Sequence, residues 1–124
     1  MNIGNVKITM NEAEIKKLEK MSQEALFQTC EALHTEVIQA QVMPFDTGTL
    51  QNTATSVQKV DEDHVELKTV TDYAARMYYH PEYNFQKTSN PGARGRWLDD
   101  WISGSKKDWC KETFMKIFKN LGGF

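Results

Sequence analysis

Residues 11–43 read NEAEIKKLEKMSQEALFQTCEALHTEVIQAQVM. In this stretch Ile15, Leu18, Ala25, Leu26, Cys30, Leu33, Val37 and Ala40 recur at three- and four-residue intervals, which puts them on one stripe of a helix. Asn11 followed by Glu14 can satisfy free backbone donors at the start, and Pro44 disfavours helical geometry at Met43, so the spacing predicts a helix from Asn11 to Met43. At 1.5 Å per residue it would be roughly 45 to 50 Å long. A compact domain of 124 residues does not cover such a rod along its whole length unless it bends or breaks near Ser22, Gln23 or Thr29. Part of its stripe is therefore expected to meet another subunit.

Past Pro44, the tripeptide Asp46-Thr47-Gly48 reads as a structural turn, with Asp46 accepting backbone hydrogen bonds and Gly48 supplying a positive φ. Leu50–Val60 is rich in Thr, Ser and Val, and His64–Val70 alternates with Val65, Leu67 and Thr69 on one face, which predicts two antiparallel strands. Asp61-Glu62-Asp63 lies between them at hairpin length but lacks the glycine that would fix a tight turn. Asp72 is placed to cap a short helix, Tyr73–Tyr79, that stops at His80 before Pro81. A long loop then runs through Asn90-Pro91-Gly92 to Gly95. Trp97–Ile102 resumes order, Gly104 breaks it, and Ser105 with Asp108 can open a last helix ending near Gly122. Its apolar face, with Trp109, Phe114, Ile117, Phe118 and Leu121, is expected to pack on the chain's own sheet. The pattern is one α+β domain over residues 1–124: a long N-terminal helix and a C-terminal helix on a small antiparallel sheet, with a long loop.

Composition sets the bounds. Apolar residues are 40% and charged residues 26% of the chain, a globular rather than a disordered balance. Cys30 and Cys110 belong to no CxxC or Cys-His cluster, so no disulfide framework or zinc site is expected, and a reducing cytoplasm suits them. The opening MNIGNVKITMNEAEIKK has no long apolar run, and nothing approaches the roughly 18 apolar residues of a membrane span. A soluble protein without a standard secretion signal is expected.

Charge is uneven. Residues 1–43, 44–72, 73–98 and 99–124 carry net charges of −2, −4, +3 and +1. The positive segment holds all three arginines, Arg76, Arg94 and Arg96, together with Tyr73, Tyr78, Tyr79, His80, Tyr83, Phe85 and Trp97. Such enrichment suits a protein interface, because Tyr, Trp and Arg bury large areas and make directional contacts at limited entropic cost. Simple core packing is a second explanation. A third is a groove for single-stranded nucleic acid, with rings stacking bases and arginines holding phosphates. The modest local excess and the acidic chain weigh against the third, so nucleic acid is not expected as a specific ligand.

Enzymatic alternatives find little purchase. Asp46-Thr47-Gly48 has the form of the catalytic turn of aspartic proteases, and a retroviral-type enzyme would dimerise to bring two such aspartates together. Those proteases are almost wholly β, whereas this tripeptide follows a long helical pattern. His34, His64 and His80 show no metal-motif spacing, and no glycine-rich phosphate loop follows a strand. No catalytic residue, cofactor or metal is therefore assigned.

Two stretches carry a resemblance. Val42-Met43-Pro44-Phe45-Asp46-Thr47-Gly48-Thr49-Leu50 is similar to a proline, aspartate, threonine, glycine, x, leucine turn. Asp72-Tyr73-Ala74-Ala75-Arg76 with Tyr78-Tyr79-His80-Pro81-Glu82-Tyr83-Asn84-Phe85, then Asn90-Pro91, Gly95-Arg96-Trp97 and Trp101-Ile102, forms a more distinctive ordered set. Over residues 35–110 the chain resembles the minor capsid proteins of phages and prophages of Gram-positive bacteria, related to tail-completion and head–tail joining proteins. The resemblance implies an α+β subunit that forms a ring, hexameric in such proteins, between the connector on the portal side and the tail tube. It also implies no catalysis, cofactor, metal or membrane, and a place in the virion after assembly in the host cytoplasm.

Overall fold

The computed structural model describes residues 4, 9, 11–44, 55–85 and 87–123, with the backbone alone at Asp72 and Tyr73. It has the expected α+β architecture of a long N-terminal helix, a C-terminal helix and a two-stranded antiparallel sheet. Helix α1 spans Glu12–Gln39. The Asn11 side-chain oxygen accepts the backbone N–H of Ala13 at 3.1 Å and of Glu14 at 3.2 Å, and Glu12 and Glu14 sit at the positive end of the helix dipole. The sequence thus marks the start correctly.

The end falls four residues before the expected Met43. Gln41 takes a left-handed conformation with φ of +56°, and its N–H donates to the Ile38 carbonyl at 3.1 Å. The chain therefore turns before Pro44 has any influence. The α1 helix is unbroken through Ser22, Gln23 and Thr29; the Thr29 hydroxyl donates to the Ala25 carbonyl at 2.6 Å within the helix. A helix of 28 residues is about 42 Å long. Its first turns, up to Lys20, are exposed apart from a half-buried Ile15, and full burial begins at Ala25.

Strands β1 (Thr55–Asp61) and β2 (His64–Thr69) pair with Thr55 opposite Thr69, Val57 opposite Leu67 and Lys59 opposite Val65. Residues 45–54 lie outside the described ones, and with them the expected strand start at Leu50. The hairpin closes without glycine because Asp61 does the work of the turn. Its carboxylate accepts the Asp63 N–H at 2.8 Å and meets His64 Nδ1 at 2.7 Å, beside an irregularity between Lys59 and Asp61. At the open end the Thr55 and Thr69 hydroxyls lie 2.9 Å apart.

Helix α2 spans Asp72–Tyr78 and is capped by Thr71, whose hydroxyl accepts the Ala74 N–H at 2.9 Å. The expected cap, Asp72, is instead the first helical residue. A four-residue helix, α3, covers Asp99–Ile102, and α4 covers Trp109–Gly122. The start expected at Ser105 is corrected: residues 103–108 form turns, and Asp108 precedes the helix without a side-chain capping bond. Helix α4 ends at Gly122, as expected, with Gly123 left-handed at φ +72° behind it. Helix α1 is the shared element, packing on both strands and on α4, so that the last helix packs chiefly on α1 rather than, as expected, on the sheet.

The core gathers Val37, Val42, Met43, Ala74, Trp97 and Trp101, with Leu33, Leu67, Met77 and Tyr78 packed around it. Half of it thus comes from chain beyond the last strand. The loop reaches this core by hydrogen bonding to the end of α1. The buried Asn90 side chain donates to the Met43 carbonyl at 2.8 Å, the Gly92 N–H to the Gln41 carbonyl at 3.1 Å and the Arg94 N–H to the Val42 carbonyl at 3.0 Å. Gly95 then passes so close to the end of α2 that a Cβ there would lie 2.8 Å from Pro81 Cα and 3.0 Å from the Met77 carbonyl oxygen.

These contacts are testable by urea unfolding. Asn90→Ala should cost about 1–3 kcal/mol, because it strands a carbonyl inside the core. Gly95→Ala should also destabilise, since its clash is with backbone that cannot swing aside. Wild-type stability in both variants would contradict this account of the loop.

Candidate interaction surface

The aromatic and arginine-bearing segment is built from α2, the loop behind it and the start of α3. Tyr78 is its pivot. The ring meets Trp97 edge to face at 4.8 Å and Tyr79 at 5.2 Å between centroids. Its hydroxyl donates to Asp99 Oδ1 at 3.1 Å. The other oxygen of Asp99 accepts from Arg96 Nε at 2.8 Å, and the Arg96 guanidinium lies 5.6 Å from the centre of the Tyr78 ring. Arg96 reaches this position through a left-handed backbone, φ +49°, with its N–H on the Tyr78 carbonyl at 2.8 Å.

The electrostatics follow from those contacts. Burial, reinforced by the bond to Asp99, pushes the Tyr78 phenol up to about 12. The Arg96 bond, and after it the Tyr78 hydroxyl, holds the Asp99 carboxyl below the usual carboxylate range, and Arg96 is raised in return. The set is a clamp whose members keep their ordinary protonation at neutral pH. A phenol held this way is no general base.

A second group continues the surface along the loop. His80 Nδ1 meets Glu82 Oε1 at 2.7 Å, a bond that lowers the Glu82 carboxyl. The His80 ring stacks on Tyr83 at 4.7 Å and 6°, and Tyr83 leans on Phe85 at 6.5 Å. Arg94 pairs with Asp100 at 2.6 Å.

The ten interface residues expected from the sequence therefore divide. Tyr79 is 66% exposed and Tyr83 40%, and Arg76, Arg94 and Arg96 are also at the surface. Tyr78 and His80 are half-buried. Trp97 and Phe85 are corrected to interior residues, 2% and 8% exposed, because the α2 end and the core close over them; no partner can reach them as the chain is folded. The Tyr73 side chain lies outside the described residues. Of the expected structural turn, Pro44 is buried, while Asp46, Thr47 and Gly48 lie outside the described residues, and so does the aspartate on which a protease would depend.

Sequence reading missed Asp99 and Asp100. They sit just past the positive segment, and their pairing with Arg96 and Arg94 offsets locally the charge that a phosphate groove would need. A carboxylate pair three and four residues after the last arginine was the available signal. Leu67, Thr69, Ala74, Tyr79 and Leu98 also enclose, with Tyr78, an open groove of about 370 Å³ between β2 and α2.

Burial pushes the Cys30 thiol up to about 11 and also raises Cys110, so neither presents a thiolate near neutral pH. Among the described residues no three His, Cys, Asp or Glu side chains are grouped to hold a metal, and no helix is long and apolar enough to cross a membrane. No family model, curated protein or solved structure matches the chain.

The clamp predicts an alkaline signature. The Tyr78 phenol ionises higher when folded than its ordinary value of 10.0, so its contribution to stability is complete below that value. It is lost as pH rises from there through about 12. Ultraviolet titration should show Tyr78 ionising late, with Asp99→Asn bringing it lower. Tyr78 ionising at its ordinary value would refute the clamp.

Proposed function

We propose that this chain is a non-enzymatic structural protein of a tailed-phage virion, of the minor-capsid or tail-completion kind. In this reading it assembles as a ring at the head–tail junction and joins the connector to the tail tube. The observation that carries the reading is the ordered set of residues from Asp72 to Ile102, whose likeness to that family is distinctive in sequence. The way those residues divide in three dimensions supports it. Asn90, Gly95 and Trp97 lock the loop to the core, leaving a held ridge whose outward members are Arg76, Tyr79 and Tyr83. A fixed ridge with a protruding tyrosine suits docking, since little order has to be gained on binding.

The uncovered first turns of α1 offer a second contact between neighbouring subunits. Ile15 is half-buried and Leu18 is 42% exposed there, as fits a rod longer than its own domain. The ion-paired arginines suit orientation and register at such an interface more than capture of a nucleic acid.

The experiment is a Tyr79→Ala variant in the phage or prophage genome that encodes the chain. Loss of a central aromatic costs about 2 kcal/mol or more at a hot spot. Filled heads and finished tails should therefore accumulate unjoined, with the far-ultraviolet circular dichroism of the purified variant unchanged. Normal yields of infectious particles would contradict the proposal.

A further inference from the structure

Strand β2 carries a self-complementary pattern. Its outward-facing residues Glu66 and Lys68 stand opposite Gln58 and Ser56 inside the hairpin. Their charges therefore have no counterpart across the strand pair, and among the described residues neither joins an ion pair. The opposite face of the strand, Val65, Leu67 and Thr69, is half-buried. Among the described residues no third strand pairs with β2, and none of them offers a strand partner to the backbone donors and acceptors of its second edge.

We propose that β2 pairs antiparallel with β2 of a second copy of this chain, about a two-fold axis through Leu67, to make a four-stranded sheet across the dimer.

Register decides this arrangement. With Leu67 opposite Leu67, Glu66 faces Lys68 of the second copy and Lys68 faces its Glu66, which gives two opposite-charge pairs on the outer face. On the inner face Val65 meets Thr69 of the second copy. Slipping by one residue would bring apolar side chains to the wet face. Centring instead on Glu66 or on Lys68 would set like charges directly opposite each other, which is unfavourable. Centring on Leu67 is the register that sets Glu66 against Lys68 of the second copy within the strand while keeping the apolar face inward. Leu67 and Thr69 also border the groove of about 370 Å³ beside α2, so the incoming Leu67 and Val65 have apolar space to enter.

A two-fold contact uses the same surface on both subunits and is complete with two, so it cannot close a ring by itself. The dimer is thus independent of the head–tail reading. If that reading holds, dimer and docked state compete, because Tyr79 lines the same groove.

The test is sedimentation velocity of the purified full chain from micromolar to millimolar concentration, repeated with Lys68→Glu, Glu66→Lys and the double swap. Both positions are exposed, so the hairpin should survive the changes. Wild-type protein should reach twice the monomer mass. Each single swap should weaken dimerisation roughly tenfold by replacing attraction with repulsion, and the double swap should restore it. Monomer throughout, an assembly of another size, dimers indifferent to the single swaps, or failure of the double swap to rescue would each overturn the proposal. None of these outcomes depends on finding the chain in a virion.

Discussion

The structure depends on how an irregular stretch of about twenty residues is tied to the end of a helix. A loop that contributes Trp97 to the core must bring its backbone polar groups inside too, and each of those needs a partner. The partners are the carbonyls of Gln41, Val42 and Met43, in the turn just past the end of α1. They accept from Gly92, Arg94 and the Asn90 side chain. All three carbonyls belong to the turn that begins at the left-handed Gln41, just past the helix end. Helix end and loop are thus one device, and the core of Val37, Met43, Trp97 and Trp101 forms around it.

From this device the surface follows. Holding residues 90–94 on the α1 end fixes where Gly95 and Arg96 pass, and Arg96 then bonds backbone to backbone with Tyr78. Tyr78 packs on Trp97 and shares Asp99 with Arg96, so α2 is held at both its inner face and its end. What remains outside is a short ridge of Tyr79, Tyr83 and the paired arginines. It is held by buried neighbours rather than by regular structure, which is what the proposed docking role would ask of a long loop.

Much of the fold was legible because it rests on local rules. The apolar stripe of α1, the Asn11 cap, the alternation of Val65, Leu67 and Thr69, and the end of α4 at Gly122 each act within a turn or two. What escaped was set by long-range contact or by near-equivalent local choices. Gln41 adopts a conformation that its side chain does not favour, and nothing nearby in sequence announces it. Thr71 and Asp72 are both good cap residues by type, and the sequence alone does not choose between them. The hairpin turn hid in Asp61, whose carboxylate replaced the missing glycine.

The site was legible as a composition and not as a geometry. Enrichment in Tyr, Trp and Arg located the segment, yet could not tell which rings point inward, since Trp97 and Tyr79 look alike until α2 and the loop are brought together. The central proposal is that this ridge docks to components of a phage virion. It is tested most directly by cryo-electron microscopy of purified particles from the genome that encodes the chain. The account predicts density for the chain at the neck, with Tyr79 and Tyr83 in contact with a neighbouring subunit, the connector or the tail. Particles that lack the chain, or that carry it with both tyrosines facing solvent, would contradict it.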